Sequence, residues 1–312
     1  MFNRLCDWFT RLLTLWVVAA IGVGYWFPGA LTIFKGYNEW FFMFTMFGIG
    51  VILSPDDFRL IFRKPIPVVV GVAAQFLIMP ALALVIARLL KLEPSLALGL
   101  ILVGAVPDAM ASGVISYLAQ ADVAFSVALT SATTLVAPLV TPSVTYLFGK
   151  MYIPIQFWPL FLSIIKMVIV PLAAGLAVKH RWGKEIAPVE KLFPTLSTLF
   201  IAFICGLVVA LNKEHLAEVS PSIITGVFLL NLFGLIFGYA TGKLFRFDIK
   251  RSRTLAINVA MQNAGLGAVL ALKHFSAEAA IPNALFATWC IVTGSILAAW
   301  WTRKSRQLPQ EH

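Results

Sequence analysis

Ten apolar runs fill the chain almost end to end, at 12–27, 38–54, 66–88, 95–119, 123–148, 153–178, 192–211, 221–242, 254–272 and 281–301. A helix that crosses a bilayer needs about 20 mostly apolar residues. In lipid the backbone must satisfy its own hydrogen bonds, so each run is read as a membrane helix. The 312 residues leave no room for a soluble catalytic domain beside ten such spans, which argues against an enzyme. The charged fraction agrees: it is 12% here, against about 25% in a soluble domain.

A net charge of +10 would in a soluble protein suggest nucleic acid as a partner. Here the basic residues fall mainly between the apolar runs and report topology instead. With a cytoplasmic N-terminus, seventeen of them lie in inside segments, including Arg59, Arg63, Lys64, Lys250, Arg251 and Arg253. Six lie outside: Lys35, Arg88, Lys91, Lys150, Lys213 and Lys273. So strong a bias requires an even number of spans with both termini in the cytoplasm. The first apolar run passes through Trp26-Phe27-Pro28 with no small-residue cleavage site and is read as a retained span. Cys6, Cys205 and Cys290 have neither disulfide nor metal-site spacing.

Ten spans divide into two halves, 1–150 and 151–312. With five spans each, the halves have opposite topology. The fourth span of each is interrupted, by Gly104-Ala105-Val106-Pro107-Asp108-Ala109-Met110-Ala111-Ser112-Gly113 in the first half and Asn258-Val259-Ala260-Met261-Gln262-Asn263-Ala264-Gly265-Leu266-Gly267 in the second. Matched interruptions in inverted halves point to discontinuous helices around a midplane binding site.

Ionisable groups inside a span are costly and raise a functional hypothesis. Asp108 stands in the middle of the fourth span, after Pro107. It is read either as a cation site, proton site or gate, or as a cap for the half-helix that follows. Lys166 is the one basic residue in mid-span, about twelve residues from either end; it either pairs with a carboxylate or attracts an anionic substrate. Ser126 and Thr130 share a helix face, with Ser131, Thr133 and Thr134 nearby, though most such hydroxyls only hold helices together. Gln75 is a lone amide in the third span. Asn258, Gln262 and Asn263 put three amides beside the second break, an oxygen-rich set suited to a hard monovalent cation.

Gly71-Val72-Ala73-Ala74-Gln75-Phe76-Leu77-Ile78-Met79-Pro80, Ile101-Leu102-Val103-Gly104, Ser116-Tyr117-Leu118-Ala119, Asp122-Val123-Ala124-Phe125-Ser126-Val127 and Met261-Gln262-Asn263-Ala264-Gly265-Leu266 follow one another along the chain. Together and in this order they resemble a bacterial member of the bile acid:sodium symporter family. The resemblance implies an all-α membrane protein of ten helices in two inverted five-helix repeats, with broken helices 4 and 9 crossing. Spans 3–5 and 8–10 would form a core domain, and spans 1, 2, 6 and 7 a panel domain. It further implies sodium-coupled symport of a small organic anion, such as a bile acid, pantoate or a 2-oxo acid, across the bacterial inner membrane.

Carried over by resemblance, a first sodium site falls on Ser112, Gly113, Ser126, Thr130 and Asn258. A second falls on Gln75, Asn258, the carbonyls of Val259 and Met261, and Gln262. The anion is expected at Asp108, Met110, Ser112, Asn263 and Cys290. Asn258 stands where the family pattern has Glu, Gly113 where it has Asn, and Pro107-Asp108-Ala109-Met110 where it has Pro-Gly-Gly-Thr. Losing that Glu removes the charge that offsets sodium, and Asp108 would restore one from the facing half-helix. The alternative is a proton-coupled or uncoupled facilitator or exporter.

Overall fold

A computed structural model describes residues 12–53, 59, 61–62, 65–190, 192–214 and 221–307. Arg4, Cys6, Arg11, Arg63, Lys64 and Lys191 lie outside the described residues.

Every predicted run contains helix. The first half comprises α1 (Leu13–Trp26), the short α2 (Pro28–Thr32), α3 (Asn38–Ile52), α4 (Pro65–Leu89), α5 (Pro94–Ala105), α6 (Ala111–Leu118) and α7 (Val123–Gly149). The second comprises α8 (Phe157–Ile164), α9 (Val170–Ile186), α10 (Leu192–Leu211), α11 (Pro221–Leu244), α12 (Ile249–Ala260), α13 (Ala264–His274) and α14 (Ala277–Gln307). A π-helical turn, Ile165–Ile169, joins α8 to α9. Among the described residues there is no strand, only one isolated bridge.

Among the described residues, six helices are long and apolar enough to cross a bilayer: Pro65–Leu89, Val123–Gly149, Phe157–Ile186, Leu192–Leu211, Pro221–Leu244 and Ala277–Arg303. The pair Leu15–Trp26 and Pro28–Ile52, bent by 110°, makes a seventh if taken as one span. The fourth and ninth predicted runs are each two shorter helices. Pro107 explains the first interruption. It has no N–H to donate, and it forces Val106 out of helix into an extended conformation (φ −77°, ψ 158°). Met261 (φ −111°, ψ 103°) ends α12 without a proline, and the Asn263 side chain then accepts from Leu266 N–H to start α13. Asp122 and Asp248 cap α7 and α12 in the same way, through Phe125 N–H at 3.0 Å and Arg251 N–H at 2.8 Å.

Two sets of helix contacts can be followed, joined by others such as α7 on α8 and α10 on α14. In one, α4 lies against α5, α7 and α11, while α11 lies against α12 and α14; α5 also meets α14, and α7 meets α12. In the other, α1 packs on α10, and α3 on both α9 and α10. Close approach within the second group requires glycine. A methyl group on Gly50 would overlap the Leu172 carbonyl, and one on Gly175 the Phe47 carbonyl. Small residues at such crossings are what let helices associate in lipid.

Lys166 lies in the π-helical turn inside the continuous helix Phe157–Ile186. Ser163, one turn earlier, bonds His274 at 2.8 Å at the end of α13. The Lys166 side chain is exposed and enters no ion pair among the described residues.

Candidate functional site

The two interruptions meet. Ala109 N–H donates to the Met261 carbonyl and Asn263 N–H to the Pro107 carbonyl, each at 2.8 Å, which sets Asp108 opposite Gln262 in an antiparallel bridge. The helix ends that abut this crossing leave carbonyls without intrahelical partners. Side-chain amides from neighbouring helices bond one at each end. Gln75 Nε2 on α4 reaches the Val106 carbonyl at 3.3 Å, and Asn231 Nδ2 on α11 reaches the Ala260 carbonyl at 2.9 Å. Asn231 in turn accepts from Thr293 Oγ1 at 2.7 Å.

The Asp108 carboxylate is 1% exposed. It accepts from Thr130 Oγ1 at 2.6 Å, from Ser112 Oγ at 3.3 Å, from Thr133 Oγ1 and from Asn258 Nδ2. All four donors are neutral. Ser126 Oγ closes the ring by donating to Asn258 Oδ1 at 2.8 Å. The alternative reading of Asp108 as a helix cap is corrected: α6 starts at Ala111 with no side-chain cap, and hydroxyls and an amide side chain claim the carboxylate instead.

A second polar group adjoins the crossing. Gln75 Nε2 donates to Gln262 Oε1 at 2.6 Å, and Gln262 Nε2 to the Val259 carbonyl at 2.6 Å. Gln75 Oε1 is buried with no hydrogen-bond partner. Beside the crossing, a cavity of about 10 Å³, the room of one water molecule, separates two unlike walls. Met46, Ile49, Leu53 and Leu172 form the apolar wall; Met110, Thr130, Ser131, Thr134 and Asn263 form the more polar one.

Ser112, Ser126, Thr130 and Asn258 therefore gather around Asp108, while Gln75, Val259 and Gln262 lie together next to it. The Met261 carbonyl is engaged in the crossing itself. Gly113 joins neither group: a methyl there would have only Val127 within 4.0 Å. Met110 and Asn263 face the cavity. Cys290 does not: it is 2% exposed, with its thiol 3.6 Å from the Ala287 carbonyl. Sequence reasoning missed Asn231 and Thr293, and it left Thr133 among the structural hydroxyls. The available signal was the spacing of Thr130 and Thr133, three residues apart and so on one helix face. Among the described residues no three His, Cys, Asp or Glu side chains cluster as a transition-metal site would require.

Residues 40–219 match the family described as the Sodium Bile acid symporter family. The chain belongs to that family. This sodium bile acid symporter relative is 40% identical over 293 residues to a Bacillus subtilis protein named as an uncharacterized sodium-dependent transporter, YocS. The alignment spans 94% of this chain and 91% of the other. It is 34% identical over 262 residues to a protein of Arabidopsis thaliana named as a probable chloroplastic sodium/metabolite cotransporter, BASS1, spanning 84% of this chain and 65% of the other. A rice protein with the same name is 33% identical over 297 residues, which is 95% of this chain and 72% of that one. Membership makes the chain a multi-pass membrane protein of a sodium-dependent transporter family. The buried carboxylate at the crossing is that of Asp108, which accepts directly from Asn258 Nδ2.

Proposed function

We propose that this protein is a sodium-coupled symporter of a small organic anion, working by alternating access in the bacterial inner membrane. In this reading the ten spans form two inverted repeats with both termini cytoplasmic. The fourth span is α5 with α6, and the ninth is α12 with α13. The first half-helices, Pro94–Ala105 and Ile249–Ala260, have the same length of 12 residues, which supports the repeat. Packing supports it too, since contacts come in matched pairs: α4 on α5 with α11 on α12, α7 on α12 with α14 on α5, and α1 on α10 with α9 on α3. The group around α4, α7, α11 and α14 would be the core domain, and α1, α3, α8 to α9, and α10 the panel.

The observation that carries the proposal is the pairing of two interrupted helices at Asp108 and Gln262, with buried oxygen-bearing side chains clustered on both sides. An interrupted helix is tolerated in a membrane where it is buried in protein or lines a cavity. The cavity between panel and core has one apolar and one polar wall, matching a compact carboxylate with a hydrocarbon portion. Widening it requires the α3 and α9 wall to move relative to α7. Coupling follows from charge. An anion entering beside the Asp108 carboxylate would place two negative charges in a poorly screened environment. A cation bound first removes that penalty, so the anion enters readily only after sodium.

The test is uptake by proteoliposomes of labelled pantoate, a 2-oxo acid and a bile acid, with an inward sodium gradient or with choline. Thermal unfolding of the purified protein in sodium against potassium accompanies it, because a ligand that binds the folded state stabilises it. The expected result is saturable, sodium-dependent uptake of one acid class and a sodium-specific rise in Tm. Equal uptake without sodium, and no stabilisation by it, would favour the facilitator or exporter reading that Asn258 suggests.

A further inference from the structure

We infer that the seam between α11 and α14 holds one anionic phospholipid, with its phosphate at Lys243 and Arg303 and an acyl chain lying along the seam. The inference takes from the reading above only the cytoplasmic placement of these helix ends, and it is independent of sodium coupling. The two helices run parallel and in register. Thr293 Oγ1 donates to Asn231 Oδ1 at 2.7 Å, and the rings of Tyr239 and Trp301 lie 6.3 Å apart, each pair 62 positions apart in the chain. Their C-terminal ends therefore reach the same depth. On α11, Leu232, Ile236, Tyr239 and Lys243 recur at helical spacing and form one stripe. Ile296, Trp300 and Arg303 form another on α14. Both stripes run in one order, from exposed apolar side chains through an aromatic ring to an exposed cation. A phospholipid has the same order, from hydrocarbon through ester to phosphate, and aromatic rings are favoured at the bilayer interface.

The depth also fits. Phe228 and Trp289 continue the two stripes towards the membrane centre, where their rings lie 5.6 Å apart and line a pocket of about 300 Å³ between the helices. From Tyr239 to Phe228, and from Trp300 to Trp289, is about 16 Å of helix. One leaflet's hydrocarbon is about 15 Å deep. Charge is complementary as well. Among the described residues neither Lys243 nor Arg303 enters an ion pair, and the Lys243 ammonium lies 5.6 Å over the Tyr239 ring. Asp122 and Asp248 are both engaged by Arg251. An inside bias of basic residues puts cations at this end. It does not by itself set the same apolar, aromatic and cationic order on two adjoining helices. Basic sites between membrane helices at the cytoplasmic side suit anionic headgroups.

Thermal unfolding of the purified full chain in detergent, titrated with palmitoyl-oleoyl phosphatidylglycerol, tests the inference. Phosphatidylcholine with the same chains and inorganic phosphate alone are the comparisons. Tm is expected to rise with phosphatidylglycerol and with neither of the others. Lys243→Gln and Arg303→Gln should each raise the half-saturating lipid fraction by about fivefold, and the double variant by about 25-fold. Both side chains are exposed, so Tm in lipid-free detergent should not change. Lys150→Gln removes the same charge from another cation–aromatic pair, with Tyr146 at the end of α7, and should leave half-saturation unchanged. Equal stabilisation by phosphatidylcholine would mean a site for tails only, and equal stabilisation by inorganic phosphate a site for an ion only. Either result would overturn the inference, as would a wild-type response in the double variant or an equal loss in Lys150→Gln. None of these measurements involves sodium, so their failure leaves the transport reading in place. Sodium-independent uptake with the phosphatidylglycerol response intact would remove that reading alone.

Discussion

Replacing Asn231 by Leu removes one side chain that makes two buried hydrogen bonds and touches neither the cavity nor the Asp108 cluster. Its Nδ2 occupies the Ala260 carbonyl at 2.9 Å, where α12 ends, and its Oδ1 accepts from Thr293 at 2.7 Å. Leucine keeps the branching and heavy-atom count of asparagine but its methyl groups are bulkier, so some overpacking adds to the lost bonding. Side-chain bonds between membrane helices average about 0.6 kcal/mol, with about 1.7 kcal/mol at the upper end. A buried carbonyl left alone costs about 1–3 kcal/mol. The expected destabilisation is therefore about 1–2 kcal/mol, a factor of roughly 5–30 in the folded-to-unfolded ratio. Thr293→Val should cost less, about 0.6 kcal/mol, because its hydroxyl also bonds the Trp289 and Cys290 carbonyls within its own helix. Equilibrium unfolding in mixed detergent–SDS micelles measures both variants and the double mutant. If N231L unfolds like the wild type, or the two substitutions add with no coupling, the assignment of Asn231 as the support of the second break is wrong.

Gly175→Leu should strongly reduce the yield of monodisperse protein by size-exclusion chromatography, since the added side chain meets the backbone of Phe47 and Val51. The ion pair Lys273–Glu39, with about a quarter of each side chain exposed, should matter little. Lys273→Gln is expected to cost under about 1 kcal/mol, and less still at high salt, in the same unfolding assay. Cys205 and Cys290 are both buried, so a Cys6→Ser variant should react slowly with maleimide when folded and quickly in SDS; fast native labelling would contradict the packing of α10 on α14. Gln75→Leu removes the amide that bonds both Val106 and Gln262, and it should lower the rate of uptake while leaving the protein folded by circular dichroism.

The location of the first break was readable because proline forbids helix for a local reason: a missing donor and a clash with the preceding residue. The second break has no proline, and what marked it was the amide- and glycine-bearing run from Asn258 to Gly267; that Asn263 caps the following helix came from the structure. Thr133 was marked only by sharing a helix face with Thr130, which does not separate a site residue from a structural hydroxyl. A threonine that bonds its own helix and one that meets a carboxylate 25 positions away look alike in sequence. That Ser163, one turn before Lys166, meets His274 at the end of α13 is a contact 111 positions apart that residue counting along one run does not show.

Composition and periodicity by themselves established a helical membrane protein with helices broken at Pro107 and near Gln262, and they singled out Asp108 as the buried charge that needed an explanation. These are short-range matters: the solvent each segment must accept, and the local geometry its residues permit. Only the tertiary structure decided that the two breaks touch, that Asp108 faces Asn258 and Thr133, and that Asn231 supports one side of the crossing as Gln75 does the other. Such contacts join residues far apart in the chain, as Asp108 and Asn258 are at 150 positions. In lipid, where hydrophobicity does not choose one neighbouring helix over another, close glycine packing and buried hydrogen bonds make that choice.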